Sequence, residues 1–254
     1  MDIQDSIYFK KLDANILISF ISTFVCGLLF NLFLITNYIF NHDSAYVYYT
    51  NLKWLISQGK WFASPFSMYK GTIQLHFISH IIGLLSLSVL TCFIIKIFSI
   101  KKKELIILVS VLFASFPSVA TVMFYHSTDY FLLISLIAVI SAHLISRDQK
   151  LYIFAGLILF ILSLGAYQGY LGFTVSICVI LSIIEILKDK KSTIDIIRRG
   201  FFYSAIIIAG ISIYYLILKL SLLITGIQLS SYKGINNMDR IFSVNYLISS
   251  LLGA

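Results

Sequence analysis

The sequence predicts an all-α integral membrane protein with about seven transmembrane helices and one amphipathic helix on the membrane surface. The chain has 254 residues, of which 59% are hydrophobic and 12% are charged, and its mean hydropathy is +0.94. Soluble domains carry about 25% charged residues. The apolar residues form runs that suit a bilayer, whose hydrocarbon core needs about 20 helical residues. A single membrane domain over residues 1–254 explains this composition.

Seven apolar runs are the predicted spans. The long runs are residues 16–40, 73–98, 105–124 and 201–223, and the shorter runs are residues 130–145, 151–166 and 170–187. Basic clusters separate several of them, at residues 101–103, 147–150 and 188–199. Because Lys and Arg concentrate in cytoplasmic loops, an even number of spans must lie between any two such clusters. The stretch 151–187 is therefore two helices, since one straight helix of that length would extend about 55 Å.

The basic residues also predict the orientation. With Lys10 and Lys11 inside, most of the 19 Lys and Arg residues lie on the cytoplasmic side. The N-terminus is then inside, and the polar loops that face outward include residues 41–72. These clusters account for the net charge of +8, so a protein that binds nucleic acid is not indicated. Residues 241–254 are too few to span, and we expect that the chain is cut short or ends on an interfacial helix.

The first outward loop, residues 41–72, is far longer than two neighbouring helices need. Apolar residues recur in it at helical spacing over residues 48–56, with polar residues on the opposite side. Gly59 follows as the expected end of this helix. Trp54 and Trp61 are typical of the headgroup layer. The pattern predicts an amphipathic helix that lies on the membrane surface.

Asp43 has two interpretations that are compatible with each other. Asp43 or Ser44 is suited to be the N-cap of the surface helix, where its side chain accepts a hydrogen bond from a backbone N–H. A carboxylate fixed at the membrane surface also suits a general base that takes a proton from an acceptor hydroxyl. His42 either assists Asp43 or binds a metal with it. One His-Asp pair is a weak signal, so no metal ligand set is predicted, and a divalent metal stays one of the alternatives.

Cations in the outward loops are candidates for contact with a lipid phosphate, and the alternative for each is contact with phospholipid headgroups. Lys60 is the strongest of them, because it lies in a turn next to Trp61, whose ring can anchor the loop in the interface. The others that we single out are Lys233 and Arg240. His126 and Asp129, in a predicted hairpin tip, either contact substrate or cap the adjacent helices.

Polar residues close to apolar spans complete the set of candidates. Tyr167 and Gln168 lie in a glycine-rich turn, where an amide among apolar spans needs partners that sugar hydroxyls would supply. The glycines themselves predict close helix packing. His76 and His80 share a helix face, and a polar, hydrogen-bonded face explains them better than a metal site that lacks a third ligand.

The order of these features resembles the bacterial O-antigen glucosyltransferase family that produces serotype conversion. The resemblance is carried by the acidic residue after the first span, the surface helix ending in "GKW", the third span with Pro117, and the turn "AYQGYLGF". Members of this family are multi-spanning glycosyltransferases of the GT-C type that use polyprenyl-phosphate sugars as donors. The resemblance implies that Asp43 is the acidic catalytic residue of the first periplasmic loop, and it matches Lys60, Trp61, Tyr167 and Gln168 to recurring positions.

The resemblance therefore implies an inverting glycosyltransferase in the bacterial cytoplasmic membrane, with its active face outside. The expected partners are a polyprenyl-phosphate sugar donor, a lipid-linked glycan acceptor and the bilayer. Two departures stand out, because the family often has a second acidic residue where this chain has His42, and members usually continue beyond 254 residues. A transporter or flippase for a lipid-linked sugar is the alternative. It is less favoured, since ionisable groups gather at the ends of the spans and not at their centres.

Overall fold

The computed structural model describes residues 13–39, 52–63, 76–125, 128–147, 149–187 and 193–230, and within these ranges it contains helices and no strand. The helices are α1 (Ala14–Thr36), α2 (Leu52–Ser57), α3 (His76–Ile97), α4 (Lys103–Ser115), α5 (Pro117–Met123), α6 (Thr128–Ile145), α7 (Lys150–Ala166), α8 (Tyr170–Leu187) and α9 (Thr193–Thr225). The prediction of an all-α fold is confirmed for this part of the chain.

Among the described helices, three are long and apolar enough to cross a membrane, namely α1, α3 and α9. A fourth span results if α4 and α5 are taken as one helix that bends by 47°. The helices α6, α7 and α8 are apolar but shorter. Each of the seven predicted spans coincides with helical structure, while the crossing of the membrane by the three shorter helices stays a prediction.

The core lies where α3, α6, α7 and α9 meet. Leu90 of α3, Val139 of α6, Phe160 of α7 and Leu218 of α9 are buried in one apolar cluster. Of the residues in the most apolar window of α3, 67% are buried inside the protein, whereas the share for α1 is 22%. The central position of α3 follows, with α1 at the edge of the bundle.

The outward faces of the peripheral helices are apolar. Leu29 and Phe33 of α1 are each 67% exposed, and Phe201 and Leu223 of α9 are more exposed still. An apolar surface of this extent would be unfavourable in water, but it matches the hydrocarbon of a bilayer. The chain is accordingly a membrane protein.

The break between α4 and α5 has a local cause. Pro117 is the first residue of α5, where its missing N–H costs nothing, but its ring prevents α4 from continuing through it. The short helix α5 then ends at Met123, whose carbonyl oxygen lies 2.7 Å from Nε2 of His80 in α3. The bend thus brings the end of α5 against the first turns of α3.

The helix α9 connects the two ends of the bundle. Its 33 residues extend about 50 Å, which exceeds the roughly 30 Å of a hydrocarbon core. Near one end, Arg199 donates a hydrogen bond of 2.7 Å to the carbonyl of Ser146, just after α6. Tyr214, four turns further along, reaches the turn that follows α2. The candidate site lies around this contact between Tyr214 and the turn.

Candidate functional site

The short helix α2 ends in a defined glycine cap. Gly59 adopts φ +76°, a conformation that favours glycine. Its N–H donates to the carbonyl of Ile56 at 2.9 Å, and the N–H of Lys60 donates to the carbonyl of Leu55, also at 2.9 Å. These two bonds form a Schellman motif. The prediction that Gly59 ends the helix is confirmed, and the motif turns the chain so that Lys60 follows at a fixed angle.

The turn after α2 is held by hydrogen bonds to distant parts of the chain. We call the turn, residues 57–62, together with Gly165, Gln168 and Tyr214, the turn cluster. Three bonds join the turn to the other members: Gln168 Nε2 to Gln58 O at 2.9 Å, Tyr214 Oη to Gly59 O at 3.0 Å, and Phe62 N to Gly165 O at 2.8 Å. A fourth bond, from Ser230 N to Ser57 O at 2.9 Å, joins the turn to the segment after α9. The turn is therefore positioned by α9, by the segment after it and by the connection between α7 and α8.

Gln168 and Tyr214 are linked to each other as well. Nε2 of Gln168 also donates to the hydroxyl of Tyr214 at 2.8 Å. Both hydrogens of the Gln168 amide are thus directed at acceptors within the protein. Both bonds involve only the amide nitrogen of Gln168. The predicted contact of Gln168 with substrate therefore stays a prediction.

The ammonium of Lys60 lies close to two aromatic rings. Its ammonium donates a hydrogen bond of 3.0 Å to Oε1 of Gln58, a side chain that is only 2% exposed. The same ammonium lies 5.4 Å from the ring centroid of Tyr167 and 6.0 Å from that of Trp54. Tyr167 is 36% exposed and Trp54 is 47% exposed. A cation is thereby held beside two partly exposed ring faces, an arrangement in which cation–π attraction contributes.

Trp61 packs against Tyr214 and Gly165. Its ring lies 6.4 Å from that of Tyr214 in a stacked orientation. The ring fits because residue 165 is glycine, since a Cβ there would lie 2.5 Å from two ring atoms. The indole Nε1 is buried, and no hydrogen-bond partner for it is found in the part of the chain that the structure describes.

Aromatic side chains join the start of α6 to the same region. The ring of Tyr167 lies 5.8 Å from that of Phe131 and 5.7 Å from that of Tyr170. The hydroxyl of Tyr130 donates to the carbonyl of Ala166, at the end of α7. Asp129 therefore lies beside this region, in the first turn of α6, where a carboxylate is favoured by the helix dipole, and it is 2% exposed.

The structure thus brings together four of the predicted site residues, namely Lys60, Trp61, Tyr167 and Gln168. Five others, His42, Asp43, His126, Lys233 and Arg240, lie outside the described residues. Among the described residues, no group of three or more His, Cys, Asp or Glu side chains could hold a metal ion.

Three members of the site were not predicted from the sequence. The sequence pattern predicts the headgroup layer for Trp54 and the polar side of the surface helix for Gln58, and Tyr214 lies inside an apolar span without a distinguishing motif. Lys60 follows the helix, six residues after Trp54, so helical spacing does not predict that their side chains approach each other. No local signal could have identified Tyr214, since its partners are far from it in sequence.

Comparison with known families gives one result. The family model described as Glucosyl transferase GtrII matches residues 32–253, which include every residue of the turn cluster. Neither the curated proteins nor the solved structures include a significant match to the chain.

Proposed function

Because the chain belongs to the Glucosyl transferase GtrII family, and is thus a membrane glucosyltransferase of O-antigen modification, we propose that its donor is a polyprenyl-phosphate sugar. The proposed acceptor is a lipid-linked glycan, either O-antigen or another surface polysaccharide. The proposed site of reaction is the outer face of the bacterial cytoplasmic membrane, with seven spans and the N-terminus inside. The loop of residues 41–72 and the turn between α7 and α8 then lie on the same, outer side.

The observation that carries this proposal is the placement of the Lys60 ammonium close to the rings of both Trp54 and Tyr167. An ammonium forms strong, charge-assisted hydrogen bonds to phosphate oxygens. The apolar face of a hexose packs against an aromatic ring, and both rings here are partly exposed. A cation next to two such rings supports a ligand in which a phosphate is joined directly to a sugar.

The proposed reaction is a direct displacement at the anomeric carbon. The acceptor hydroxyl attacks this carbon while the bond from the carbon to the phosphate oxygen breaks, and the polyprenyl phosphate leaves with the bonding electrons. Asp43 accepts the hydroxyl proton as general base. Lys60, with Lys233 and Arg240, stabilises the negative charge that develops on the leaving phosphate. A single displacement of this kind inverts the anomeric configuration.

The remaining predicted residues are assigned to binding or to support of the site. Tyr167 contacts the sugar, Trp61 and Gln168 hold the turn that carries Lys60, and His42 and His126 contact the acceptor. Asp129 is buried and stabilises the first turn of α6. The position of His42 next to Asp43 also makes a divalent metal worth testing. A transfer assay with and without a metal chelator measures that dependence directly.

The first prediction concerns Asp43. We expect Asp43→Asn to lower the rate of sugar transfer about 100-fold or more, since an amide cannot accept the hydroxyl proton and general-base catalysis contributes about 10²–10⁴-fold. The measurement is transfer of radiolabelled glucose from polyprenyl phosphate to lipid-linked glycan, in membranes with equal amounts of protein. Asp13→Asn is the matched control, because Asp13 caps α1 through its side chain and Asn caps a helix equally well.

Two outcomes would contradict the proposal at different points. Full activity of Asp43→Asn would exclude Asp43 as the base, while leaving the donor assignment intact. Movement of the polyprenyl-phosphate sugar across the membrane without any transfer by the wild type would instead favour a flippase.

A further inference from the structure

We propose that Gln168 and Tyr214 are positioning residues, which hold the Lys60 ammonium where it meets the phosphate of the donor. The inference rests on the proposed function, which assigns this phosphate to Lys60. Tyr214 is not one of the residues that the sequence pattern or the family resemblance singled out. Its part in the site follows only from the contacts of the turn cluster.

The turn that carries Lys60 needs support from elsewhere in the protein. The helix α2 has six described residues, and isolated helices shorter than about 12 residues are marginal in water. Its glycine cap fixes the backbone of Gly59 locally, but a cap does not anchor the turn to the bundle. Gln168 and Tyr214 provide two of the four bonds that anchor it, and theirs are the bonds to the carbonyls of Gln58 and Gly59, directly before Lys60.

These bonds form a directed chain in which each hydrogen has one acceptor. The hydroxyl of Tyr214 has a single hydrogen, which it donates to the carbonyl of Gly59. The hydroxyl oxygen accepts from Gln168, whose second amide hydrogen goes to the carbonyl of Gln58. Two consecutive peptide carbonyls are thus held from two different elements. Rotation of either peptide would leave a buried polar group unpaired, which is costly, and chains of this kind strengthen each bond.

Gln58 connects this chain to Lys60. Its backbone carbonyl is held by Gln168, and its side-chain oxygen accepts the hydrogen bond from the Lys60 ammonium. Because Gln58 is 2% exposed, its side chain has little room to follow a mobile lysine. A lysine loses considerable rotamer freedom when it is fixed. If the protein fixes the lysine side chain before the donor arrives, this loss of entropy no longer opposes donor binding. The affinity for the donor is then higher.

The test separates the hydroxyl of Tyr214 from its ring. Tyr214→Phe removes the two hydrogen bonds of the hydroxyl and retains the ring that stacks on Trp61. We expect the KM for radiolabelled polyprenyl-phosphate glucose to rise about two- to tenfold, the effect of a lost hydrogen bond, while the KM for the glycan acceptor is unchanged. Tyr152→Phe is the matched control, since Tyr152 is 43% exposed at the start of α7.

A second variant tests the same chain from its other member. Gln168→Glu has nearly the same shape but replaces the donating nitrogen with an oxygen, which would face the carbonyl of Gln58. We expect a larger rise in the donor KM than for Tyr214→Phe. Gln149→Glu, an exposed glutamine before α7, is its control and should leave both KM values unchanged.

A double variant shows whether the effect passes through Lys60. In a Lys60→Ala background, the ammonium is absent and Tyr214→Phe should change the donor KM by less than twofold. A loss of folded protein would lower kcat and leave both KM values as they are, so it is distinguishable from a positioning effect.

The outcomes separate this inference from the proposed function. If the wild type transfers the labelled sugar but the donor KM is unaffected in Tyr214→Phe and Gln168→Glu, the positioning role is wrong and the donor assignment stands. The same conclusion follows if Tyr214→Phe has its full effect without Lys60. If the wild type transfers no sugar from polyprenyl phosphate, the proposed donor is wrong and this inference falls with it.

Discussion

At the scale of single residues, Gly165 determines how closely the turn after α2 approaches the bundle. Its carbonyl accepts a hydrogen bond from the N–H of Phe62, and the absence of a side chain leaves space for the Trp61 ring. An aromatic ring is rigid, so it cannot yield to a new methyl group by rotating a flexible end. Gly165 lies in the helix α7, where glycine is otherwise unfavourable, which means that the space for Trp61 outweighs the cost to the helix.

We therefore predict that Gly165→Ala destabilises the protein by about 1–3 kcal/mol, the usual cost of overpacking. Gly172→Ala is the control, because Gly172 lies in α8 and a Cβ there would meet no atom within 4 Å. This control should be neutral or more stable by up to about 1 kcal/mol. Thermal unfolding of the purified variants in detergent measures both effects. Equal stability of the two alanine variants would show that Trp61 can be displaced without cost.

The sequence predicts one part of this contact and not the other. A glycine-rich face in "GAYQGYLGF" predicts close helix packing. Gly165 is closely packed, but against the Trp61 ring and not against a helix, and a Cβ at Gly172 would meet no atom within 4 Å. The partner could not be predicted, because Trp61 belongs to a loop far away in sequence, and an aromatic residue near the end of a span is equally typical of the headgroup layer. Packing partners of this kind depend on the three-dimensional arrangement and leave no local pattern.

At the scale of elements, His80 connects α3 to the end of the bent pair α4 and α5. Its side chain is fully buried, with Nε2 2.7 Å from the carbonyl of Met123 and Nδ1 2.7 Å from that of His76. Nε2 of His76 in turn lies 2.8 Å from the carbonyl of Leu34 in α1. The predicted polar, hydrogen-bonded face of α3 is confirmed. The ring nitrogens of His76 and His80 lie close to backbone carbonyls near the ends of helices. The sequence could not specify these partners.

This arrangement predicts a stability effect that is larger for His80 than for an ordinary polar residue in the same helix. His80→Leu leaves the buried carbonyl of Met123 without its partner, and we expect a loss of about 1–3 kcal/mol. Ser88→Ala is the control, because the buried Ser88 hydroxyl donates its hydrogen to the carbonyl of Leu84 in its own helix, which already takes part in the helical ladder. Denaturant unfolding in detergent micelles compares the two variants. A His80→Leu protein no less stable than Ser88→Ala would contradict a role for His80 in joining the elements.

At the scale of the whole molecule, the helices follow from the sequence more directly than their arrangement does. Backbone polar groups in a bilayer must be paired within the segment, so long apolar runs become helices. The runs at residues 16–40 and 73–98 correspond to α1 and α3 with modest shifts at their ends. Hydropathy carries no information on which helices touch, and the turn cluster is a consequence of those contacts. The predicted sidedness, in contrast, rests on charge alone and can be measured.

The last prediction tests sidedness with two cysteines. The exposed residues Lys53 in α2 and Lys102 before α4 lie beyond opposite ends of α3, so they must be on opposite sides if α3 crosses the membrane. In a protein whose native residues Cys26, Cys92 and Cys178 are replaced by serine, we expect a membrane-impermeant maleimide to label Lys53→Cys in intact cells. Lys102→Cys should react only after the cells are permeabilised, because basic clusters stay in the cytoplasm. The reverse pattern would place the Lys60 site inside, where a donor on the outer face could not reach it. Labelling of both from one side would mean that α3 does not span, because a single crossing between the two positions is what separates them.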